Sequence, residues 1–356
     1  MLNVGIYTPY NRSEVTLAAV QLADWLVRLG IPVTMLAEGK IASGVHPVWD
    51  RQVRRATKQA VYLWAREVTH LCWFNPTAYA LQAAYLVSRN GTKRKTRHIY
   101  FPNWNESGQA HAELLQTADR VICFSPDLYH WLARGYPIRG VNRRTWASIT
   151  SPAFALLPKK GKASSTLLKL LVVVTPTVEL DIGLPFLHLF SPLLEHSETL
   201  QVTFLLEHAI PRKYRRELTR MKRVYGDRIA IEVRPPYSDY VHFARQHDWV
   251  YLTNTRFVYG SLLSILVGST VPMICHDVGP VRGHVANGVT GKLISCSVHE
   301  WPAPVSVLAV PDIIDGLLAV INSGEAVLRQ LQTQSRDYFL RKQAAFEKFL
   351  LNEFVP

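Results

Sequence analysis

A chain of 356 residues exceeds what one ordinary hydrophobic core organises, and predicts two domains with a cleft between them. Hydrophobic residues make up 48% and charged residues 19%, which excludes a disordered chain, and no apolar run approaches the roughly 18 residues of a membrane span. The net charge of +13 is lopsided: residues 1–150 hold 18 Lys+Arg against 9 Asp+Glu and so carry +9 of it. Such a field suits a polyanion, either nucleic acid or an anionic membrane face, or it serves solubility alone.

Residues 1–10 are apolar without a basic leader or a small-residue cleavage site. They read as a buried strand rather than a signal peptide, so a cytoplasmic location is expected. A polar turn over 8–14 surrounds Pro9, a helix with apolar residues at 3.6 spacing runs over 15–29 until Gly30 stops it, and 32–36 reads as a second strand. That strand, crossover helix and parallel strand form the unit of a doubly wound sheet. Further strands are predicted at 70–74, 98–101 and 120–124, the last preceded by a short helix over 111–117. Each ends in a loop with Pro, Asn or Ser, where such sheets place ligands. Residues 158–166, rich in Lys, Ser and Gly, read as a linker between a domain at 1–158 and another at 166–322. The alternation then repeats, with strands at 167–174, 202–206, 229–233, 249–252, 271–275 and 292–295, and an amphipathic helical stretch at 323–356 is expected to pack back on the first domain. Cys72, Cys123, Cys275 and Cys296 lie far apart with no CxxC pair, so they read as core thiols rather than a zinc site or disulfides.

One stretch carries a family likeness. The string Gly260-Ser261-Leu262-Leu263, then Val271-Pro272-Met273-Ile274, Asp277-Val278-Gly279-Pro280 and Asn287-Gly288-Val289-Thr290-Gly291-Lys292-Leu293-Ile294 resembles the GT4-like glycosyltransferases. Weaker likenesses lie in Tyr7-Thr8-Pro9-Tyr10, in Gly30 with Val33-Thr34, and in residues 118–125. The resemblance implies a GT-B fold: two Rossmann-like domains facing a central cleft, with a nucleotide-sugar donor, a UDP-sugar first among them. It also exposes departures. Where the family carries two Glu residues eight positions apart, this chain has Phe257 and Ile265, and the loop Thr175-Pro176-Thr177-Val178-Glu179 lacks the family's Arg and Lys.

Glycosyl transfer builds negative charge on the departing diphosphate, so donors or cations must meet it. The resemblance assigns that role to the helix start at Tyr259, Gly260, Ser261 and Leu262, where free N–H groups and the helix dipole favour an anion. Arg256 is the first candidate for the phosphate cation and Arg282 the second. The resemblance also implies that Gly279 and Pro280 fall in the sugar-contacting loop and Pro236 and Tyr237 in the loop that meets the base, while Ser238 and Asp239 are expected to cap the next helix. An inverting enzyme needs a base, for which Glu106 or Glu14 is available; a retaining one, as the resemblance implies, does not. With no DxD pair and no His/Cys spacing for an ion, the donor is expected to bind without metal.

On the acceptor side, Asn11, Arg12 and Ser13, and Asn103 and Trp104, occupy loops expected to face the cleft. Arg51, Arg54, Arg55 and Lys58 are spaced to share one helical face opposite Val53, Ala56, Ala60, Val61 and Trp64, and Lys93, Arg94 and Lys95 form a second basic group. Two basic patches beside an aromatic suit a phosphate backbone with a base turned out of the stack. In size, charge and architecture the chain resembles the bacteriophage enzymes that glycosylate hydroxymethylated pyrimidines in DNA. The alternatives are a peripheral-membrane transferase acting on a lipid or polysaccharide precursor, and a non-catalytic subunit on the same fold. A third basic run, residues 212–223, reads as a solvated helix face or an extension of the nucleic-acid track.

Overall fold

The computed structural model of the chain describes residues 2–11, 13–43, 45–89, 96–102, 109–124, 126–135, 144–147, 150, 167–174, 186–206, 212–233, 235–253, 260–277, 279–295, 297–299, 305–307 and 310–355. It divides into two compact units. The first comprises Met1–Ala153, Val258–Ser264 and Lys342–Pro356, and the second comprises Phe154–Phe257 and Ile265–Arg341.

In the first unit β1 (Val4–Thr8), α1 (Glu14–Arg28) and β2 (Val33–Ala37) form the predicted crossover, followed by α2 (Trp49–Gln52), β3 (Arg54–Arg55) and α3 (Lys58–Glu67). Next come β4 (His70–Phe74), α4 (Ala78–Arg89), β5 (Arg97–Phe101), α5 (Gln109–Thr117), β6 (Arg120–Cys123), α6 (Pro126–Gly135) and β7 (Arg144–Trp146). The strands pair in parallel in the order β3-β2-β1-β4-β5-β6-β7, so the chain reverses its direction of growth between β1 and β4. A parallel sheet covered on both faces buries alternate residues on opposite sides. Ile6, Cys72, Phe74, Ile99 and Phe101 accordingly face one core with α1, whereas Tyr7, Leu71, Trp73 and Tyr100 face another with residues of α3 and α4.

Local chemistry fixes the boundaries. Ser13 caps α1 by accepting from the Thr16 N–H, and Gly30, at φ 74°, takes the left-handed turn that ends it. Gly5 has no room for a side chain: a Cβ there would sit 2.3 Å from the Trp64 ring, so α3 lies directly on β1. The Trp64 indole then donates to Thr34 at 2.7 Å.

In the second unit β8 (Leu168–Val174), α7 (Phe186–His196), β9 (Leu200–Leu206), α8 (Arg212–Tyr225) and β10 (Ile229–Val233) precede α9 (Tyr240–Arg245) and β11 (Trp249–Leu252). After the short α10 (Ser261–Val267) come β12 (Met273–His276), α11 (Gly279–Arg282) and β13 (Gly291–Ile294). Their parallel order is β10-β9-β8-β11-β12-β13, with its reversal between β8 and β11. A two-stranded antiparallel ribbon, β14 (Ser297–His299) and β15 (Val305–Val307), leads to α12 (Val310–Ile321) and the long α13 (Gly324–Phe354). The last part of α13 belongs to the first unit. There Phe346, Leu350 and Phe354 enter the core beside Trp25, and the Glu353 carboxylate lies 3.5 Å from Arg97 and 3.1 Å from Arg120.

The predicted strands all form, and β3, β7, β14 and β15 add to them. Cys72, Cys123 and Cys275 are buried thiols outside any disulfide, and burial pushes the Cys72 and Cys275 thiols far above their usual range; Cys296 lies outside the described residues. No described helix is long and apolar enough to cross a membrane.

Candidate functional site

Ligands of doubly wound sheets meet the carboxyl ends of the strands near the point of reversal. At that edge of the first sheet, the β1 loop is organised by Thr16, whose hydroxyl is donated to the Pro9 carbonyl at 2.8 Å and accepts from the Asn11 N–H at 3.0 Å. Asn11 is exposed and Ser13 is half-buried at its cap. Arg12 lies outside the described residues, as do Asn103, Trp104 and Glu106.

Three carboxylates of the first unit are each held by an aromatic donor. Tyr7 donates to Glu38 at 2.6 Å, Tyr10 to Asp50 at 2.8 Å, and the Trp49 indole to Asp24 at 2.7 Å. His46 lies 3.2 Å from the other Asp24 oxygen. Burial first, and then the partner carboxylate, pushes the Tyr7 and Tyr10 phenols far above their ordinary range, so both remain donors at any physiological pH. Glu38, half-buried just past the end of β2, is the acid that sequence reading missed. Its signal was position alone, an acid directly after a strand and before Gly39. Just past the end of the neighbouring β4, Asn75 adopts φ 49°, and Thr77 lies 3.3 Å from the Tyr7 hydroxyl.

Gly260 and the first turn of α10 belong to the first unit, and Gly260 takes φ 70°, which a side chain would resist. Ser261 is fully buried, and its hydroxyl donates to the Glu14 carbonyl at 3.0 Å. The Gln21 amide donates to the Ser261 carbonyl at 3.0 Å and accepts from the Ser264 hydroxyl at 2.9 Å. The Ser261 proton is therefore committed to the protein, and what this turn offers an anion is its backbone N–H groups. Leu262 is buried, and the Glu14 side chain is half-buried. Arg256, Phe257 and Tyr259 lie outside the described residues, and Ile265 is a core side chain.

In the second unit Pro236 and Tyr237 shape a single 3-10 turn, closed by the Asp239 N–H on the Pro236 carbonyl at 2.9 Å. Tyr237 is buried against Tyr240, with ring centroids 5.1 Å apart. The expected side-chain cap of α9 is absent at Asp239, because the 3-10 turn already leads into the helix. Gly279 and Pro280 open the one-turn α11, and the Arg282 guanidinium is held by Asp277 at 2.7 Å.

At the end of β12 lies His276, fully buried, with its Nε2 3.0 Å from the Tyr251 hydroxyl and its Nδ1 without a hydrogen-bond partner. Burial lowers its pKa to about 4, so it is neutral near pH 7. The Asn287-Gly288-Val289-Thr290-Gly291 motif has a backbone task. Thr290 accepts from the Ala286 N–H at 2.8 Å, Asn287 accepts from the Leu293 N–H at 3.0 Å, and Gly288 turns at φ 73°. A Cβ at Gly291 would lie 2.0 Å from the Met273 carbonyl, so only glycine lets β13 pair there.

The basic segment at 51–58 departs from its expected form. Arg51, Arg54, Arg55 and Lys58 are all exposed, but Arg51 lies in α2, Arg54 and Arg55 form β3 on β2, and Lys58 starts α3. Val53 leaves helical geometry at ψ 134°, and burying both Val53 and Ala56 beside an open sheet edge is served by a strand. The four cations thus share a surface segment, not a helix face. Lys93, Arg94 and Lys95 lie outside the described residues. Among the described residues no group of His, Cys, Asp or Glu gathers to hold a metal ion.

No family model matches the sequence, and no curated protein does either. Solved structures match along nearly the whole chain. The HepE protein of Anabaena in complex with UDP is 12% identical over 99% of this chain and 100% of its own, with a TM-score of 0.69. A glycosyltransferase from Rickettsia africae is 12% identical over 98% of both chains, with a TM-score of 0.66. An alpha-glucosyltransferase in complex with UDP and a 13-mer DNA containing a HMU base is 9% identical over 95% of both, with a TM-score of 0.62. Two Rossmann-like parallel sheets in tandem, matched end to end by these structures, give this chain the GT-B fold.

Proposed function

We propose that this chain is a glycosyltransferase that takes a hexose from a UDP-sugar and passes it to a hydroxymethylated pyrimidine base in DNA. The observation that carries the donor half is end-to-end likeness to structures holding UDP, one of which also holds DNA. The acceptor half rests on the first unit's charge and on the exposed Arg51, Arg54, Arg55 and Lys58.

In this reading the backbone N–H groups at Gly260, Ser261 and Leu262 meet the diphosphate, with Tyr259 beside them and Arg256 and Arg282 as cations for its growing charge. Arg282 leaves Asp277 to do so, or acts as an Asp277–Arg282 pair. Gly279 and Pro280 bound the sugar, and Pro236 and Tyr237 meet the base. On the acceptor side Asn11, Arg12, Ser13, Asn103 and Trp104 receive the target nucleotide, while Lys93, Arg94, Lys95 and the 51–58 cations hold its phosphates. If the reaction inverts configuration, Glu14 or Glu106 takes the acceptor proton, and Glu38, held by Tyr7, joins them as a candidate. The donor is bound without a metal ion, so EDTA leaves turnover unchanged.

The test is transfer from a panel of labelled nucleotide sugars to hydroxymethylated duplex DNA, to unmodified DNA and to a lipid extract. The expected result is label on hydroxymethylated DNA from a UDP-sugar. Label on lipid alone replaces the acceptor and keeps the donor. A second reading, a non-catalytic subunit, is favoured by Phe257 and Ile265 in place of the family's Glu pair and by the engaged Ser261 hydroxyl. Absence of both donor binding and donor hydrolysis would favour it.

A further inference from the structure

Helix α8 is the most charged element of the second unit. Over 14 residues, RKYRRELTRMKRVY, it carries seven Lys or Arg and a single Glu. Its apolar side is spent: Leu218 and Met221 are buried in the second core, with Tyr214 and Tyr225 packed against it. The opposite side exposes Arg212, Arg215, Arg216, Arg220, Lys222 and Arg223. At about 100° per residue these six cations cover about 160° of the helix circumference, and from first to last they span about 16 Å along its axis. The only apolar side chain strongly exposed on the helix is Val224.

This pattern selects among polyanions. A helix lying in a membrane interface needs an outward apolar face to insert, and the apolar face of α8 is already in the core. A flat bilayer touches a narrow arc of a cylinder, leaving cations on both flanks unused. A groove with charged walls on either side engages the whole arc. The major groove of B-form DNA, about 12 Å wide, admits a helix and presents one phosphate charge per about 1.7 Å of axis. The cations on α8 recur about every 2.7 Å, a comparable density. Five of the six are arginines, whose forked guanidinium binds phosphate oxygens in pairs. The major groove of double-stranded RNA is too deep and narrow for such entry.

We infer that the exposed face of α8 is a docking surface for double-stranded DNA, gripping its phosphate walls without reading sequence. None of its six cations is among the residues assigned to donor or acceptor, and it stands whether or not the chain transfers a sugar.

The test is fluorescence anisotropy of the full chain with an unmodified DNA duplex of about 20 base pairs, two helical turns, titrated over a range of salt without nucleotide. The variants are R216Q/R220Q/R223Q and, at the other end of the helix, R212Q/R215Q. The triple variant is expected to bind at least about tenfold more weakly near 0.1 M salt, with the slope of log affinity against log salt reduced by about 3. The double variant should lose about 2 from the slope. UDP affinity should be unchanged in both, which separates this inference from the donor reading. Wild-type duplex affinity in both variants overturns the proposal. So does duplex binding no tighter than binding to phosphatidylserine vesicles when only the vesicle binding is lost in the variants, which would assign the face to a membrane.

Discussion

The segments at 51–58 and 212–223 look alike as sequence: cations at intervals of three and four, interleaved with apolar residues. In the structure they differ in kind. The first is broken into a helical turn, a two-residue edge strand and the start of another helix, whereas the second is one continuous helix. The deciding factor is the apolar partner. In α8, Leu218 and Met221 with Tyr214 and Tyr225 form one stripe at helical spacing over a single core. In the other segment Val53 and Ala56 lie beside the open edge of β2, where an extended backbone satisfies its hydrogen bonds by pairing with Leu36 and Ala37. Charge spacing alone does not make a face.

Breaking the apolar partner should therefore have the largest effect. Leu218→Ala removes a fully packed side chain and should destabilise the second unit by about 2–5 kcal/mol. Val53→Ala, which deletes two buried carbons at a sheet edge, should cost about 1–2 kcal/mol. Denaturant midpoints of the two variants check the order; equal losses would mean that the stripe does not hold α8.

A smaller effect sharpens the electrostatic side of the comparison. The R54Q/R55Q variant should lower the salt slope for duplex binding by at most about 2, less than the triple variant of α8, since two cations on an edge strand cannot surround a groove. A larger loss from the edge pair would reverse the ranking of the two surfaces.

The smallest effect concerns acid. His70 in the first unit and His276 in the second are each held down to about 4, both chiefly by burial and His70 also by Arg97. An unfolded imidazole titrates near 6.5, so the unfolded chain takes up protons first. The stability both residues confer as neutral rings is present above about pH 6.5 and is lost as pH falls toward 4. In thermal unfolding from pH 7.5 to 4.5, the His276→Asn variant should lose less of its midpoint than the parent, and parallel curves would refute the assignment.

The alternation of strands and helices was legible because buried parallel strands leave apolar runs and crossover helices leave a 3.6 period. Gly30 was legible for a local reason, a left-handed turn that stops a helix, whereas the cap at Ser13 became visible only in the structure. The NGVTG motif was legible as a string, but its work here is to shape a turn and let β13 approach Met273. What sequence could not supply was pairing at a distance. Tyr7 with Glu38, Tyr10 with Asp50 and Ser261 with Glu14 depend on which loops the sheet order brings together, and no local period encodes that. The two-residue β3 escaped notice for the same reason, since an edge strand that short is defined by its neighbour.

Whether this fold carries a UDP-sugar transferase is decided by isothermal titration of UDP into the full chain alongside UDP-sugar hydrolysis without acceptor. Saturable UDP binding with slow release of free sugar is expected. Absence of heat with UDP and with other nucleoside diphosphates, together with an intact donor after prolonged incubation, would contradict it.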